Sequence, residues 1–423
     1  MFARSNVLNI RTAAALSAVV GIAAGGAAAV PSAAMAQSSN DLQHRIEVME
    51  QQLKDMKSEL ATTKKTAETA KKQATQDENA DIKWHLGGYA NASYANTNAD
   101  NTSDSFNGVG FNPIFLIGYK DLLFFESELE TSIDSEAHTE IGVEFANLNL
   151  NATDWLTLTA GRFLSPIGDF QQHQHPSWIN KLPSRPAGFA EDAGAEPLTE
   201  VGVMARGAVP IGMMTGQYAV YVGNGPRLSD DAGEGVLLEG FGSDNNNDKA
   251  VGGRIGLSPM PYVNVGVSGM RSKVMGNAGT GGNVTEGDYD LVDVDAAYTK
   301  DNVSVRGEYI RAHLNGLTTA LDTASAPAPI SGVTWHAWFA QASYRLAGVT
   351  DDPIGRNFEP VVRYSEYRVS GPDEFKESAE RRWTVGLDYW FAPSIVGKVA
   401  YENRQYDTKE NEDVFRVQTA FGF

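Results

Sequence analysis

The sequence runs to 423 residues with no cysteine, 42 glycines, 7 Trp, 15 Tyr and 18 Phe, and its formal charge is −19. The lack of cysteine excludes a disulfide framework and thiolate-bound zinc, and the acidic excess argues against nucleic acid as a partner. A chain polar on average yet so aromatic fits a wall with one apolar and one wet face.

The first residues carry Arg4 and Arg11 without an acid, then the run TAAALSAVVGIAAGGAAAV, then Ala34-Met35-Ala36 before Gln37. That order predicts a secretory signal peptide over residues 1–36. No other stretch approaches the roughly 18 to 20 apolar residues of a membrane helix, so the mature chain either is soluble outside the cytoplasm or crosses a membrane as a closed barrel. Cleavage leaves 32 basic against 53 acidic side chains, a charge of −21. In the next segment, 37–80, Leu42, Ile46, Met49, Leu53, Met56 and Leu60 fall on alternating four- and three-residue steps, the seam of a coiled coil. The phase continues through Thr63, Ala67, Ala70 and Ala74. A single amphipathic helix lying on the barrel is the alternative, and self-association is the favoured reading. A helix over 40–78 would reach roughly 55 to 60 Å.

From about residue 84 the period becomes two. In ERRWTVGLDYWF, Trp383, Val385, Leu387, Tyr389 and Phe391 share one face, and Arg382, Thr384, Gly386, Asp388 and Trp390 share the other. The terminal run repeats this, with Phe415, Val417, Thr419, Phe421 and Phe423 against Arg416, Gln418, Ala420 and Gly422. Such runs recur near 84–95, 108–119, 121–132, 138–150, 154–164, 199–210, 214–223, 249–258, 260–271, 287–300, 302–313, 333–346, 358–369, 380–391, 394–406 and 413–423. The predicted fold is therefore an all-β transmembrane barrel over 81–423, of about 16 antiparallel strands with 18 as the alternative, preceded by a short periplasmic coiled-coil helix. Short linkers alternate with long ones at 165–198, 224–248, 272–286 and 314–332, the asymmetry of tight periplasmic turns and longer outer loops.

Enzyme signatures fail where they matter, and the chain reads as neither an enzyme nor a cofactor protein. Gly266-Val267-Ser268-Gly269-Met270 lacks the final glycine of a nucleophile elbow and lies in a strand pattern. DNNNDK, from Asp244, has Lys249 where a calcium loop needs glycine and Ile255 where it needs glutamate. His173 and His175 stand on one side of an extended segment but lack a third ligand nearby, so no metal site is expected. Their loop carries Pro176, Trp178, Ile179, Leu182, Pro183, Pro186 and Phe189, too apolar for a solvated connection. It suits an inward constriction of a channel that is otherwise water-filled, with Trp178, Ile179 and Leu182 on the wall and His173, His175, Asn180 and Lys181 meeting water or solute.

The stretches GRFLSPIGDF, HPSWINKLP, YAVYVGNGP, EPVVRYSEY, TVGLDYWFAPSIVGKVAYE and the terminal FRVQTAFGF resemble the outer-membrane porins of the phosphate-selective porin O/P superfamily, over roughly residues 84 to 423. The resemblance implies a 16-stranded homotrimeric barrel in the outer membrane of a Gram-negative bacterium, in contact with its lipid. It also implies an inward loop at 165–198 and a terminal Phe423 read by the barrel-assembly machinery. The leading segment would stand in the periplasm; relatives with such a coiled coil are similar to a branch named for siderophore uptake.

Lumen-facing charge decides selectivity in such a channel. Alternation turns Arg206, Arg254, Arg306, Arg363, Arg382 and Lys398 inward, and Glu126, Glu128 and Glu130 form an acidic stripe continued by Asp293 and Asp295. Arg162 shares parity with the apolar Leu156, Leu158 and Ala160 and stays ambiguous. Phosphate-selective relatives use dense basic ladders, which this sequence does not show. The expected function is passive diffusion of small hydrophilic solutes or ions. Siderophore uptake, and a barrel that ties its coiled coil to peptidoglycan, stand as alternatives.

Overall fold

The computed structural model describes residues 81–99, 104–133, 138–189, 194–230, 234–375 and 379–423. The expected signal peptide (1–36) and coiled-coil segment (37–80) lie outside the described residues. Sixteen antiparallel strands close into a barrel. They are β1 (Ile82–Thr97), β2 (Ser105–Tyr119), β3 (Leu123–Ile133), β4 (Thr139–Thr153), β5 (Leu156–Leu164), β6 (Thr199–Ile211), β7 (Met214–Gly223) and β8 (Ala250–Met260). The second half comprises β9 (Val263–Met275), β10 (Glu286–Lys300), β11 (Val303–Asn315), β12 (Val333–Tyr344), β13 (Phe358–Ser370), β14 (Glu380–Ala392), β15 (Ile395–Tyr406) and β16 (Glu412–Gly422).

Each strand pairs with its neighbour in the chain, and β1 closes on β16 from Tyr89 opposite Gly422 to Thr97 opposite Val414. Phe423 completes the seam: its N–H donates to the Gly88 carbonyl at 2.9 Å and its carbonyl accepts from Gly88 N–H at 3.1 Å. Closure leaves no sheet edge, which is what lets strands cross an apolar medium. Among the described residues no helix is long and apolar enough to cross a membrane.

The period-two pattern maps directly onto the two faces of the wall. In β14 Thr384 is fully buried while the adjacent Val385 is 58% exposed. Trp383, Leu387 and Phe391 share the outer face, and Arg382, Asp388 and Trp390 are buried inside. A basic residue placed on that outer face at mid-membrane depth would cost about 2–4 kcal/mol, so the register of every strand is fixed by its apolar set. One irregularity bears on the lumen. Glu128 pairs with Phe145 but Leu129 pairs with Val143, and the resulting bulge leaves both Glu144 and Phe145 buried.

The turns 120–122, 212–213 and 393–394 are short, whereas the connections 165–198, 224–249 and 316–332 at the opposite strand ends are long; the connection 345–357 on the short-turn side is the exception. Two of the long ones fold into small ribbons, Arg227–Leu228 with Val236–Leu237 and Thr318–Thr319 with Ala328–Pro329. The loop between β5 and β6 does something different. Its Ile167, Phe170 and Phe189 belong to one apolar cluster with Phe163, Leu291, Ile310 and Phe339 of the inner wall. Leu228, Val236 and Leu238 of the next long connection, and Leu317 of a third, join the same cluster, so the core of this barrel is built between its long connections and its own wall.

Candidate functional site: the lumen and its inward loop

The loop leaves β5 through a neck closed by Ser165 N–H donating to the Leu198 carbonyl at 2.9 Å. It then meets the inner wall of β8 to β11. Gly168 N–H donates to Ser268 Oγ at 2.9 Å, and Glu308 accepts from Asp169 N–H at 3.1 Å and Phe170 N–H at 2.9 Å. Arg254 Nη1 donates to the Gly168 carbonyl at 3.1 Å while its Nη2 holds Asp295 Oδ1 at 2.7 Å. Gly168 has φ +74°, and a Cβ there would stand 2.1 Å from Glu196 Oε1 and 2.3 Å from Glu308 Oε1. Only glycine lets the backbone pass between those carboxylates.

One helical turn, Phe170–His173, carries the chain into the barrel. Phe170, Phe189 and Phe339 meet edge to face with centroids 5.1 to 5.9 Å apart, a geometry worth about 0.5–1.5 kcal/mol per pair beyond area burial. Farther on, Trp178 packs on Trp390, Val396 and Ala420, and Leu182 clusters with Val361 and Ala400. Gly188 (φ +80°) touches the wall so closely that a Cβ would lie 2.6 Å from Ala337 Cβ and from Tyr367 Cδ2.

Polar bonds fix the same path. Lys398 Nζ donates to the Ser177 and Asn180 carbonyls and, at 3.1 Å, to Gln418 Oε1, so all three ammonium hydrogens are engaged. Arg363 Nη2 donates to the Ser184 carbonyl at 2.8 Å, and Arg382 Nη1 to the Arg185 carbonyl at 3.0 Å. Ala187 N–H donates to Ser365 Oγ at 3.1 Å.

These contacts place the residues singled out by sequence. Arg254, Arg306, Arg363, Arg382 and Lys398 point inward as alternation requires, but they end on the loop rather than in open water; Arg306 lies 3.6 Å from Asp169. Arg206 stays nearer solvent, 31% exposed and 3.8 Å from Glu126. Glu126 and Glu130 are half-buried, whereas Glu128 is 1% exposed behind Asn112. Lys181 pairs with Glu359 at 3.0 Å. Arg162 is half-buried and donates to Thr199 Oγ1 at 3.1 Å.

Two loop residues expected to face water are instead enclosed. Asn180 is buried, its amide donating to the Ser184 carbonyl at 2.9 Å, because the chain turns tightly there. His175 is buried with Nδ1 on the Gln171 carbonyl and Nε2 left without a partner. Burial, reinforced by the charge of Arg185, pulls its pKa down to about 3, so the ring is neutral. His173 is the exposed one, with Nδ1 3.0 Å from Asp169 Oδ1. The two rings therefore serve different partners. Burial alone would raise the Asp169 carboxyl, but the His173 bond and the charges of His173, Arg306 and Arg254 hold it below the usual aspartate value. The calcium-like stretch is occupied internally, with Lys249 bridged to Asp244 and Asn246 N–H turned onto Asp244 Oδ1 at 3.0 Å.

Sequence reading missed Arg185, Glu144, Glu196 and Glu308. Arg185 Nη1 donates to Gln171 Oε1 at 2.8 Å. Burial lowers its pKa, and Glu144 and Glu130 on the wall act in the opposite sense. A loop guanidinium thus faces the carboxylates of β3 and β4. Glu144 is concealed by the bulge, which breaks the parity that exposed the other acids. Burial and the charge of Asp293 push the Glu196 carboxyl well above its ordinary value, while it accepts Gln171 N–H at 3.1 Å.

The model of the family described as phosphate-selective porin O and P matches residues 238–423. Comparison with curated proteins gives no match. Among solved structures the chain is similar to an anion-selective porin from Comamonas acidovorans, at 13% identity and TM-score 0.52, covering 81% of this chain and 100% of that one. A loop-deletion mutant of OmpT, an outer membrane protein of Vibrio cholerae, is similar at 12% identity and TM-score 0.52 over the same shares. OmpT in its trimer form gives 10% identity and TM-score 0.52, again over 81% and 100%. At these identities the likeness is one of fold.

Proposed function

We propose that this chain is an outer-membrane porin of the phosphate-selective porin O and P family, through which small hydrophilic solutes and ions diffuse passively. One observation carries the reading: residues 165–189 and 194–198 fold inside a closed barrel and are bonded to its inner wall from Ser268 to Lys398. A loop so placed narrows the lumen without touching the membrane face. The family match over 238–423 supports it independently.

The remaining channel charges set preference. The inward cations Arg254, Arg306, Arg363, Arg382 and Lys398 end on loop carbonyls and carboxylates, whereas Arg206 and the half-buried Glu126 and Glu130 keep more contact with solvent. Glu126, Glu128 and Glu130, with Arg206, Arg254, Arg306, Arg363, Arg382 and Lys398, are the proposed lumen residues, the last five as loop supports. His173, His175, Trp178, Asn180 and Lys181 belong to the proposed constriction loop. A homotrimer is supported by the trimer form of the OmpT fold relative, and recognition by the assembly machinery by the position of Phe423 at the seam. Siderophore uptake has no specific support in the family match or the fold relatives, and cell-wall attachment rests on the heptad run from Leu42 to Leu60, outside the described residues.

Planar-bilayer recording of purified protein tests the reading. Stepwise, ohmic conductance is expected; a bilayer that stays silent with correctly folded barrel would overturn it.

A further inference from the structure

The outer face of the barrel carries an arrangement that the channel does not use. Cross-strand register sets Arg311 of β11 opposite His336 of β12, and His336 opposite Arg368 of β13. Their chain neighbours Ile310, Ala312, Trp335, Ala337, Tyr367 and Val369 are buried inside, so alternation turns all three outward at one height. Arg311 and Arg368 are exposed, and His336 is half-buried with Nδ1 3.1 Å from Tyr309 Oη. Among the described residues the one ion pair of Arg368 is with the neighbouring Glu366, at 3.2 Å with half of its side chain exposed. Arg311 has no ion pair among the described residues.

The row sits between the long-loop ends of the strands and a band of aromatic residues. Tyr309 pairs across to Trp338 in register. Trp338 and Tyr364 stand 5.2 Å apart between ring centroids, and Tyr364 and Trp383 4.9 Å. Tyr and Trp with one apolar and one wet end belong at headgroup depth. Outward arginines are tolerated only near that interface, since their cost falls steeply away from the membrane centre.

Directly beneath lies a groove of about 370 Å³, lined by Val294, Ala296, Gly307, Tyr309 and Trp338. It exists because the register aligns Ala296, Gly307 and Ala340 on three adjacent strands, so three small residues in a row leave a furrow between larger neighbours.

We propose that this face docks a phosphorylated lipid of the surrounding leaflet, with its phosphate on Arg311 and Arg368 and one acyl chain in the groove. Guanidinium groups match phosphate oxygens in a two-point, charge-assisted contact. The exposed Arg368–Glu366 pair is weak enough to yield to it. His336 adds a further polar contact at the same height. Charge complementarity selects the headgroup, and the furrow distinguishes a lipid from a free anion. The inference rests on the outer-membrane porin reading proposed above, with the long loops on the outer side.

Native mass spectrometry of the purified protein in neutral detergent tests it, with bisphosphorylated lipid A, the same lipid stripped of phosphate, and inorganic phosphate as probes. The wild type should retain the bisphosphorylated lipid. Arg311→Glu with Arg368→Glu should weaken it roughly tenfold or more, and Ala296→Trp should weaken it by filling the groove. The stripped lipid should bind the wild type no better than the phosphorylated lipid binds the charge-reversed variant. Equal retention by wild type and charge-reversed variant, equal binding of the stripped lipid, or displacement by inorganic phosphate at matching concentration would each overturn the proposal. Heat-modifiable gel migration and bilayer conductance of the same preparations report separately on the barrel and on the porin reading.

Discussion

Replacing Lys398 by Met should loosen the inward loop while leaving the barrel intact. Methionine keeps the apolar stem but removes an ammonium whose three hydrogens go to the Ser177 carbonyl, the Asn180 carbonyl and Gln418 Oε1. A hydrogen bond to a charged group contributes about 1.5–3 kcal/mol, so the two loop bonds amount to roughly 3–6 kcal/mol before water replaces part of them. A net weakening of about 2–4 kcal/mol would raise the undocked population of this segment by roughly thirty- to a thousandfold. Hydrogen exchange is the assay: amides of residues 177–182 should lose protection while those of β13 to β16 keep theirs. Asp388, buried opposite Lys398 in register with neither oxygen hydrogen-bonded, is left without its cation in this variant. Adding Asp388→Asn should therefore recover part of the stability. Unchanged exchange at 177–182 in Lys398→Met would refute the reasoning.

Glycine 188 offers a second perturbation, because Gly188→Ala combines a φ of +80° with a Cβ 2.6 Å from Ala337 and Tyr367; conductance noise should increase, with a loss of loop stability above about 1 kcal/mol. For His175, whose pKa falls from 6.5 to about 3, the unfolded loop binds the proton more readily. Its contribution is therefore complete above about pH 6.5 and lost as pH falls toward 3; loop protection followed by exchange should decline over that window, and His175→Gln should flatten the decline. Replacing His173 and His175 together with Ala should leave conduction in place and insensitive to chelator, whereas a chelator-mimicked collapse would establish a metal site. Glu126→Gln with Glu130→Gln should shift the reversal potential in a salt gradient toward lower cation preference, and an unchanged potential would remove these two from the selectivity path.

The wall was legible because each strand had to keep an apolar set on one side, and an error of register would have exposed it. All sixteen predicted runs overlap the observed strands, from Ile82–Thr97 to Glu412–Gly422. The loop announced itself through Trp178 and Leu182, apolar side chains in a segment too long for a turn. Its destination was not legible: Ser177 meets Lys398 and Ser184 meets Arg363 across 221 and 179 residues of chain, and local pattern carries no information on such pairs. Parity could therefore turn Arg363 and Lys398 inward but could not say whether carbonyl or water awaited them. Glu144 escaped for a different reason, since the bulge beside Phe145 shifts the alternation by one residue.

Excision of the loop is the most direct measurement. Phe170 and Phe189 lie with ring centroids 5.9 Å apart, and Gln171 Nε2 donates to the Phe189 carbonyl at 3.2 Å, so residues 172–187 can be removed and the ends joined by a short glycine linker. Single-channel conductance in a planar bilayer should rise severalfold, with heat-modifiable migration showing that the barrel still assembles. An assembled barrel with unchanged conductance would contradict the account, because the loop would then lie outside the path of the current.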